Sequence, residues 1–164
     1  MAELFSHILL AFGLFTAVGW AVSWLDRRWV VVGMIGSLLP DLNRIDLLLD
    51  DYVVAQLLGI PFNWTGIHTV GGVLLLSGAG AVLFATHEQQ SRAFGLLAAG
   101  GCSHLLVDAV KAWADGSNGA YLYPFSWWRN PTPGWYVSAE RWVFVASLLL
   151  AVGVWVVDRR DSIQ

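Results

Sequence analysis

The chain has 164 residues, a length that suggests one domain; its net charge of −3 and lack of any basic run leave no electrostatic footprint for nucleic acid. An apolar fraction of 57% against a charged fraction of 13%, with ten tryptophans, exceeds what an ordinary soluble domain carries and points to a membrane. The single Cys102 excludes an internal disulfide and zinc–thiolate clusters, and reads as an inert thiol within a helix.

Met1-Ala2-Glu3 lacks the positive n-region of a signal peptide, so the first apolar segment is expected to stay in the mature protein. That segment, residues 5–25, is long enough to cross a bilayer and ends at Asp26-Arg27-Arg28. A second run, Trp29 to Leu39, is too short to span and stops at Pro40-Asp41. Leu47, Leu48, Val54, Leu57 and Leu58 against Asp46, Asp50 and Asp51 predict an interfacial amphipathic helix, with Asn43 or Asp41 as its cap. A third run, Gly66 to Thr86, again has spanning length and carries His68 in its first turn. After the polar stretch His87 to Arg92, in which His87 reads as solvated, a fourth span runs from Ala93 to about Trp113. Residues 114–137 form a loop rich in Gly, Pro and aromatics, of a kind that settles at the membrane surface. The last span, Trp142 to Val157, meets Asp158-Arg159-Arg160. The fold expected is therefore one all-α polytopic membrane domain over residues 1–164. It is a bundle of four full transmembrane helices plus one short helix and an interfacial helix.

Placing Arg27, Arg28, Arg92, Arg159 and Arg160 in the cytoplasm puts five of the nine basic residues inside, a weak positive-inside bias. Depth does not depend on that choice. At 1.5 Å per residue, His7 lies roughly 30 Å along its helix from Arg27, and His68 roughly 27 Å from Thr86. His104 and Asp108 lie roughly 18 and 24 Å from Arg92, and Asp41 roughly 20 Å from Arg28. All five groups fall in the third of the membrane opposite the arginines, near the extracytoplasmic face.

Ionisable groups inside apolar spans are costly and mark functional sites by default. His104 and Asp108 sit four apart, on one helix face, as half of a metal site. Each group also has a plainer reading: a hydrogen-bonded pair for His104 and Asp108, a carbonyl-bonded His68, an interfacial His7, a turn residue for Asp41. Their shared level favours one site. Three imidazoles and two carboxylates suit one or two zinc ions, with manganese or another divalent metal as the alternative. Such a site suits hydrolysis, because a metal acidifies water and neutralises phosphate oxygens. Lys111, seven residues after His104, is expected on the same face, where it could hold a phosphate; Arg44 and Arg129 are weaker candidates.

At these residues the chain resembles the membrane-bound metal-dependent hydrolases, also described as LexA-binding, inner-membrane-associated hydrolases. Their ordered pattern is matched by Ser6-His7-Ile8-Leu9, Leu39-Pro40-Asp41-Leu42-Asn43, Gly66-Ile67-His68-Thr69, Ser103-His104 through Asp108, and Leu122-Tyr123-Pro124-Phe125-Ser126. That family is similar to zinc-dependent phospholipase C and the P1-type nucleases. The resemblance implies that His68, His104 and Asp108 hold one zinc, and that His7 holds a second with Asp108 bridging. It makes Asp41 a ligand or the base that orients water. Two departures stand out: Asn43 occupies the second aspartate of Pro-Asp-x-Asp, with Asp46 one turn later as a substitute, and Asn63-Trp64-Thr65 stands where a His-Arg pair is expected. The expected function is a hydrolase of the inner membrane acting on phosphoester bonds in a lipid or membrane-proximal substrate. The alternative is a non-catalytic membrane protein whose metal is structural and whose surface serves a partner or an envelope-stress role. A transporter relay is disfavoured, since a path needs polar groups at several depths.

Overall fold

The computed structural model describes residues 2–161 apart from Asp115, Asn118 and Asn130, and its regular elements are all helical. They are α1 (Ala2–Gly19), α2 (Arg27–Gly36), a 3-10 turn (Pro40–Leu47), α3 (Asp51–Leu58), a second 3-10 turn (Trp64–Ile67), α4 (Val70–Ala81), α5 (His87–Ala109) and α6 (Trp142–Asp161). Helix α5 lies between α2 and α4, while α1 packs against α2 and α6 and touches α5. Ala11, Phe15, Leu25, Val30 and Leu96 form the buried apolar cluster where α1, α2 and α5 meet.

Of the four full spans expected, one has by itself the length and composition to cross a membrane. Among the described residues α6 alone qualifies by length and composition as a membrane-crossing helix, over Trp142–Arg159; α1 from Glu3 and α4 are shorter apolar helices. Helix α1 ends at Gly19, six residues early, because the chain folds back there: a Cβ on Gly19 would lie 2.8 Å from the Leu25 carbonyl oxygen. Asp26, expected at a span end, instead caps α2 by accepting from the backbone N–H groups of Arg28 and Trp29. His68 precedes α4 rather than opening it, since Thr69 is the cap and accepts from the Gly72 N–H.

Helix α5 starts earlier than hydropathy suggests. The Thr86 side chain accepts from the Gln89 N–H, and Glu88 pairs with Arg92 one turn on, so the polar stretch 87–92 is helical. Thr86→Ala is expected to cost about 1 kcal/mol, read as a lower thermal midpoint in detergent with metal content unchanged.

The interfacial helix is also shorter than expected. Asp50, not Asn43 or Asp41, caps α3 by accepting from the Tyr52 N–H, and Asp51 accepts from the Trp64 N–H. The outward apolar character survives: Leu47, Leu48 and Leu57 are 83, 91 and 78% exposed.

Helices α2 and α5 approach with almost no side chain between them. A Cβ on Gly100 would overlap the Gly33 carbonyl oxygen, and one on Gly36 would overlap the Leu97 carbonyl oxygen. Such contacts let small residues bring two backbones together.

The segment between α5 and α6 is anchored at both ends. The Tyr121 and Tyr123 carbonyls accept from the N–H groups of Val70 and Gly71, two donors that the first turn of α4 leaves free. Gly71 is required there, because a Cβ would lie 2.6 Å from the Pro124 ring. Farther on, Trp135 N–H donates to the Val110 carbonyl and Ala112 N–H to the Tyr136 carbonyl, closing the C-terminal end of α5.

At the opposite end of the bundle, Arg27 pairs with Asp158 at 3.2 Å and Arg92 lies 4.9 Å over the Trp24 ring. The basic residues at the starts of α2 and α5 thus share an end with the close of α6. From Arg92 to Asp108 the rise along α5 is about 24 Å.

Candidate metal centre

Four of the expected groups come together at that far end of α5. His104 and Asp108 face inward from its last turns, His7 comes from the second turn of α1, and His68 from the link between the second 3-10 turn and α4. His7, His104 and Asp108 are 3, 1 and 4% exposed. One ligand atom from each of these three lies within 4.8 Å of the others, so the group could hold a metal ion. The Asp108 carboxylate sits at the centre. Its Oδ1 is 3.5 Å from His7 Nε2, and its Oδ2 is 3.1 Å from His68 Nε2 and 3.4 Å from His104 Nε2.

Backbone carbonyls decide which ring nitrogens carry protons. His104 Nδ1 lies 2.8 Å from the Ser37 carbonyl oxygen and His68 Nδ1 lies 3.3 Å from that of Pro40. A carbonyl can only accept, so both Nδ1 atoms are N–H donors, and in the neutral rings both Nε2 atoms present lone pairs toward Asp108. This is the outer support that orients metal-binding histidines. His104 Nε2, His68 Nε2, His7 Nδ1 and Asp108 Oδ1 are all buried without a hydrogen-bond partner among the described residues.

Lone pairs facing a buried carboxylate need a positive charge between them. Protonating the rings is a poor solution. His7 stacks on His104 with centroids 3.7 Å apart and planes inclined by 17°, a face-to-face contact that two imidazolium ions resist. A cation bound by neutral imidazoles and the carboxylate satisfies the same atoms at once, so the donor set fits a divalent metal such as zinc.

His7, His68 and Asp108 form one wall of a cavity of about 540 Å³, with His104 behind them, and the cavity is also lined by Asn43, Arg44, Asn63, Thr65, Tyr121, Tyr123 and Trp127. The expected participants distribute unevenly around it. Asn43 reaches the lining, whereas Asp46 is exposed and does not. Asp41 is absent from the lining: Arg44 Nε donates to its Oδ1 at 3.0 Å, and its Oδ2 is buried without a hydrogen-bond partner among the described residues. Lys111 does line the cavity, but not from the helix face expected. Helix α5 ends at Ala109, because the loop from Trp135 to Tyr136 takes over the backbone hydrogen bonding there. Lys111 is buried, its Nζ 2.6 Å from Glu3 Oε1 and 4.4 Å from the Trp113 ring centroid.

Glu3 and Tyr121 are among the lining residues that escaped the sequence reading. Glu3 had a signal, since it stands four residues before His7 on one face of α1. Tyr121 had none beyond its aromatic loop. Its ring centroid lies 5.4 Å from that of His68, and its hydroxyl is buried without a hydrogen-bond partner among the described residues. Burial, and then the nearby Asp108 charge, push the phenols of Tyr121 and Tyr136 up, so both stay protonated donors at neutral pH. Tyr136 donates to the Val107 carbonyl at 3.1 Å.

The model of a family described as YdjM inner membrane protein matches residues 1–163. The chain belongs to that family. No curated protein and no solved structure matches the chain significantly. The YdjM family description places the chain at the inner membrane, in keeping with its exposed apolar surface.

Proposed function

We propose that this YdjM-family chain is a metal-dependent hydrolase of phosphoester bonds in a lipid or another membrane-proximal substrate. The observation that carries the reading is the convergence of three imidazoles on one buried carboxylate at the wall of an aromatic-edged cavity. His7, His104 and Asp108 would hold the ion, with His68 completing the set. A zinc or comparable divalent ion there supplies an acidified water and polarises a phosphoryl oxygen.

The remaining roles belong to the protein. The Ser37 and Pro40 carbonyls hold the His104 and His68 imidazoles in one tautomer and one orientation. The Lys111 ammonium keeps two N–H groups beyond the one facing Glu3, and with the Tyr121 hydroxyl it can donate to phosphoryl oxygens. Asp41 positions the Arg44 guanidinium at the cavity edge.

The location favours a lipid. Tyr123 and Trp127 line the cavity, and Phe125, Trp127, Trp128 and Trp135 are 57–76% exposed beside it, as residues of a membrane–water boundary are. We read α1, α4 with its flanking turns, α5 and α6 as passing through the bilayer, in a multi-pass arrangement. Leu75, Leu83, Leu106 and Leu149, which are 67–87% exposed, support this, because lipid can cover them and water would not. The arginine end then faces the cytoplasm and the metal end the extracytoplasmic side.

The test is release of organic phosphate or diglyceride from short-chain phospholipids by zinc-loaded protein in detergent. Turnover is expected in the wild type, with at least a hundredfold loss in His104→Ala. A zinc-loaded protein that releases nothing above the metal-stripped background from any phosphoester in a broad panel would sink the hydrolase reading.

A further inference from the structure

The Glu3–Lys111 pair is a second polar rung, one turn outside the first. Glu3 stands one helical turn before His7 on α1, and Lys111 stands three residues after Asp108. The inner rung joins His7 to Asp108 at 3.5 Å, and the outer joins Glu3 to Lys111 at 2.6 Å. Both outer side chains are largely shielded, 16 and 10% exposed, and both line the cavity. Charges on such a wall are screened far less than surface charges.

The charges around the cavity can therefore be counted. Among the described residues, its charged lining groups are Glu3, Arg44, Asp108 and Lys111, with the imidazoles neutral. Lys111 is offset by Glu3, and Arg44 by Asp41. One divalent ion over Asp108 leaves a single positive charge. Without Glu3 the wall would carry two.

We infer that Glu3 is a charge-selecting residue: by cancelling Lys111 it matches the cavity to a singly charged phosphoester anion over a doubly charged one. The inference rests on the phosphoester reading above and assigns the specificity of the same site. A phosphodiester carries one negative charge, whereas a phosphomonoester carries nearly two above its second pKa of about 6. Glu3 also keeps the Lys111 ammonium against the Trp113 ring, so removing its charge frees a cation already at the wall.

The experiment compares two ligands with identical chains, dihexanoyl phosphatidylmethanol and dihexanoyl phosphatidate. Their binding to zinc-loaded protein is measured calorimetrically at pH 8 in detergent. Wild type is expected to prefer the diester. In Glu3→Gln the ratio of the two dissociation constants should move at least tenfold toward the monoester. The double variant E3Q/K111M, whose wall again carries a single positive charge, should return the ratio to within about threefold of wild type. An unchanged ratio in E3Q that still binds zinc overturns the inference, even if the protein hydrolyses lipids. Should E3Q fail to fold, an unmoved ratio in E3Q/K111M supports the charge balance and a moved one overturns it. A tenfold shift in a protein that turns over no phosphoester in the broad panel upholds the charge selection and removes the hydrolase reading. Absence of binding by both ligands overturns both.

Discussion

Asp108→Asn is expected to lower bound zinc from roughly one equivalent per chain to less than about a tenth, in protein that still elutes as a folded species. Among the described residues the carboxylate is the only anion at the centre of three imidazoles, whose Nε2 atoms lie 3.1–3.5 Å from its oxygens. Asparagine keeps its volume and can donate from its amide to a ring nitrogen, so the packing around residue 108 survives while the charge goes. Without that charge, neutral imidazoles in an apolar setting hold a dication poorly. Metal content after purification in detergent, with His104→Ala alongside, reads this directly. Equal zinc in wild type and in both variants would move the metal elsewhere. Unfolding of the wild type when zinc is stripped would support the structural-metal alternative over the hydrolase.

Gly100→Ala is the second large effect. The added methyl overlaps the Gly33 carbonyl oxygen and lies within 2.7 Å of Ser37 N, so backbone must move, not a flexible side-chain tip. Overpacking of this kind costs about 3 kcal/mol at its upper range, and for a chain of this size that lowers the thermal midpoint by roughly 6–12 °C. The displacement also carries the Ser37 carbonyl away from His104 Nδ1, so zinc affinity should fall together with stability. Gly95→Ala on the same helix is the control. A Cβ there meets nothing within 4 Å, and the change should be neutral or stabilise by up to about 1 kcal/mol. Equal midpoints for the two variants would show that α2 and α5 are not in this close contact.

Much of the site could be read from the chain, because depth along a helix is simple arithmetic. His7, His104 and Asp108 sit on helices whose rise fixes their level, and His68 joins them at the same end. The helix ends were harder. Hydropathy cannot see that the Thr86 hydroxyl draws the polar stretch 87–92 into α5, or that Asp26 caps α2 instead of closing a span. Asp41 illustrates a different gap. Its sequence context suggested a ligand, but the guanidinium of Arg44, three residues on, takes one of its oxygens. Lys111 shows a third. Its spacing from His104 predicted a helical neighbour, and only the nonlocal bonds from Trp135 and Tyr136 reveal that the helix has already ended.

The two carbonyls behind the imidazoles, from Ser37 and Pro40, are main-chain groups that any residue would supply at those positions. Substitutions that keep the local backbone path at position 37 therefore leave the orientation of the His104 ring intact. The vulnerability is transferred to glycines that touch no metal ligand: Gly33, Gly36 and Gly100 set where that stretch of backbone runs. In a mutational scan, the sensitive positions around this centre would thus include three residues that have no side chain at all.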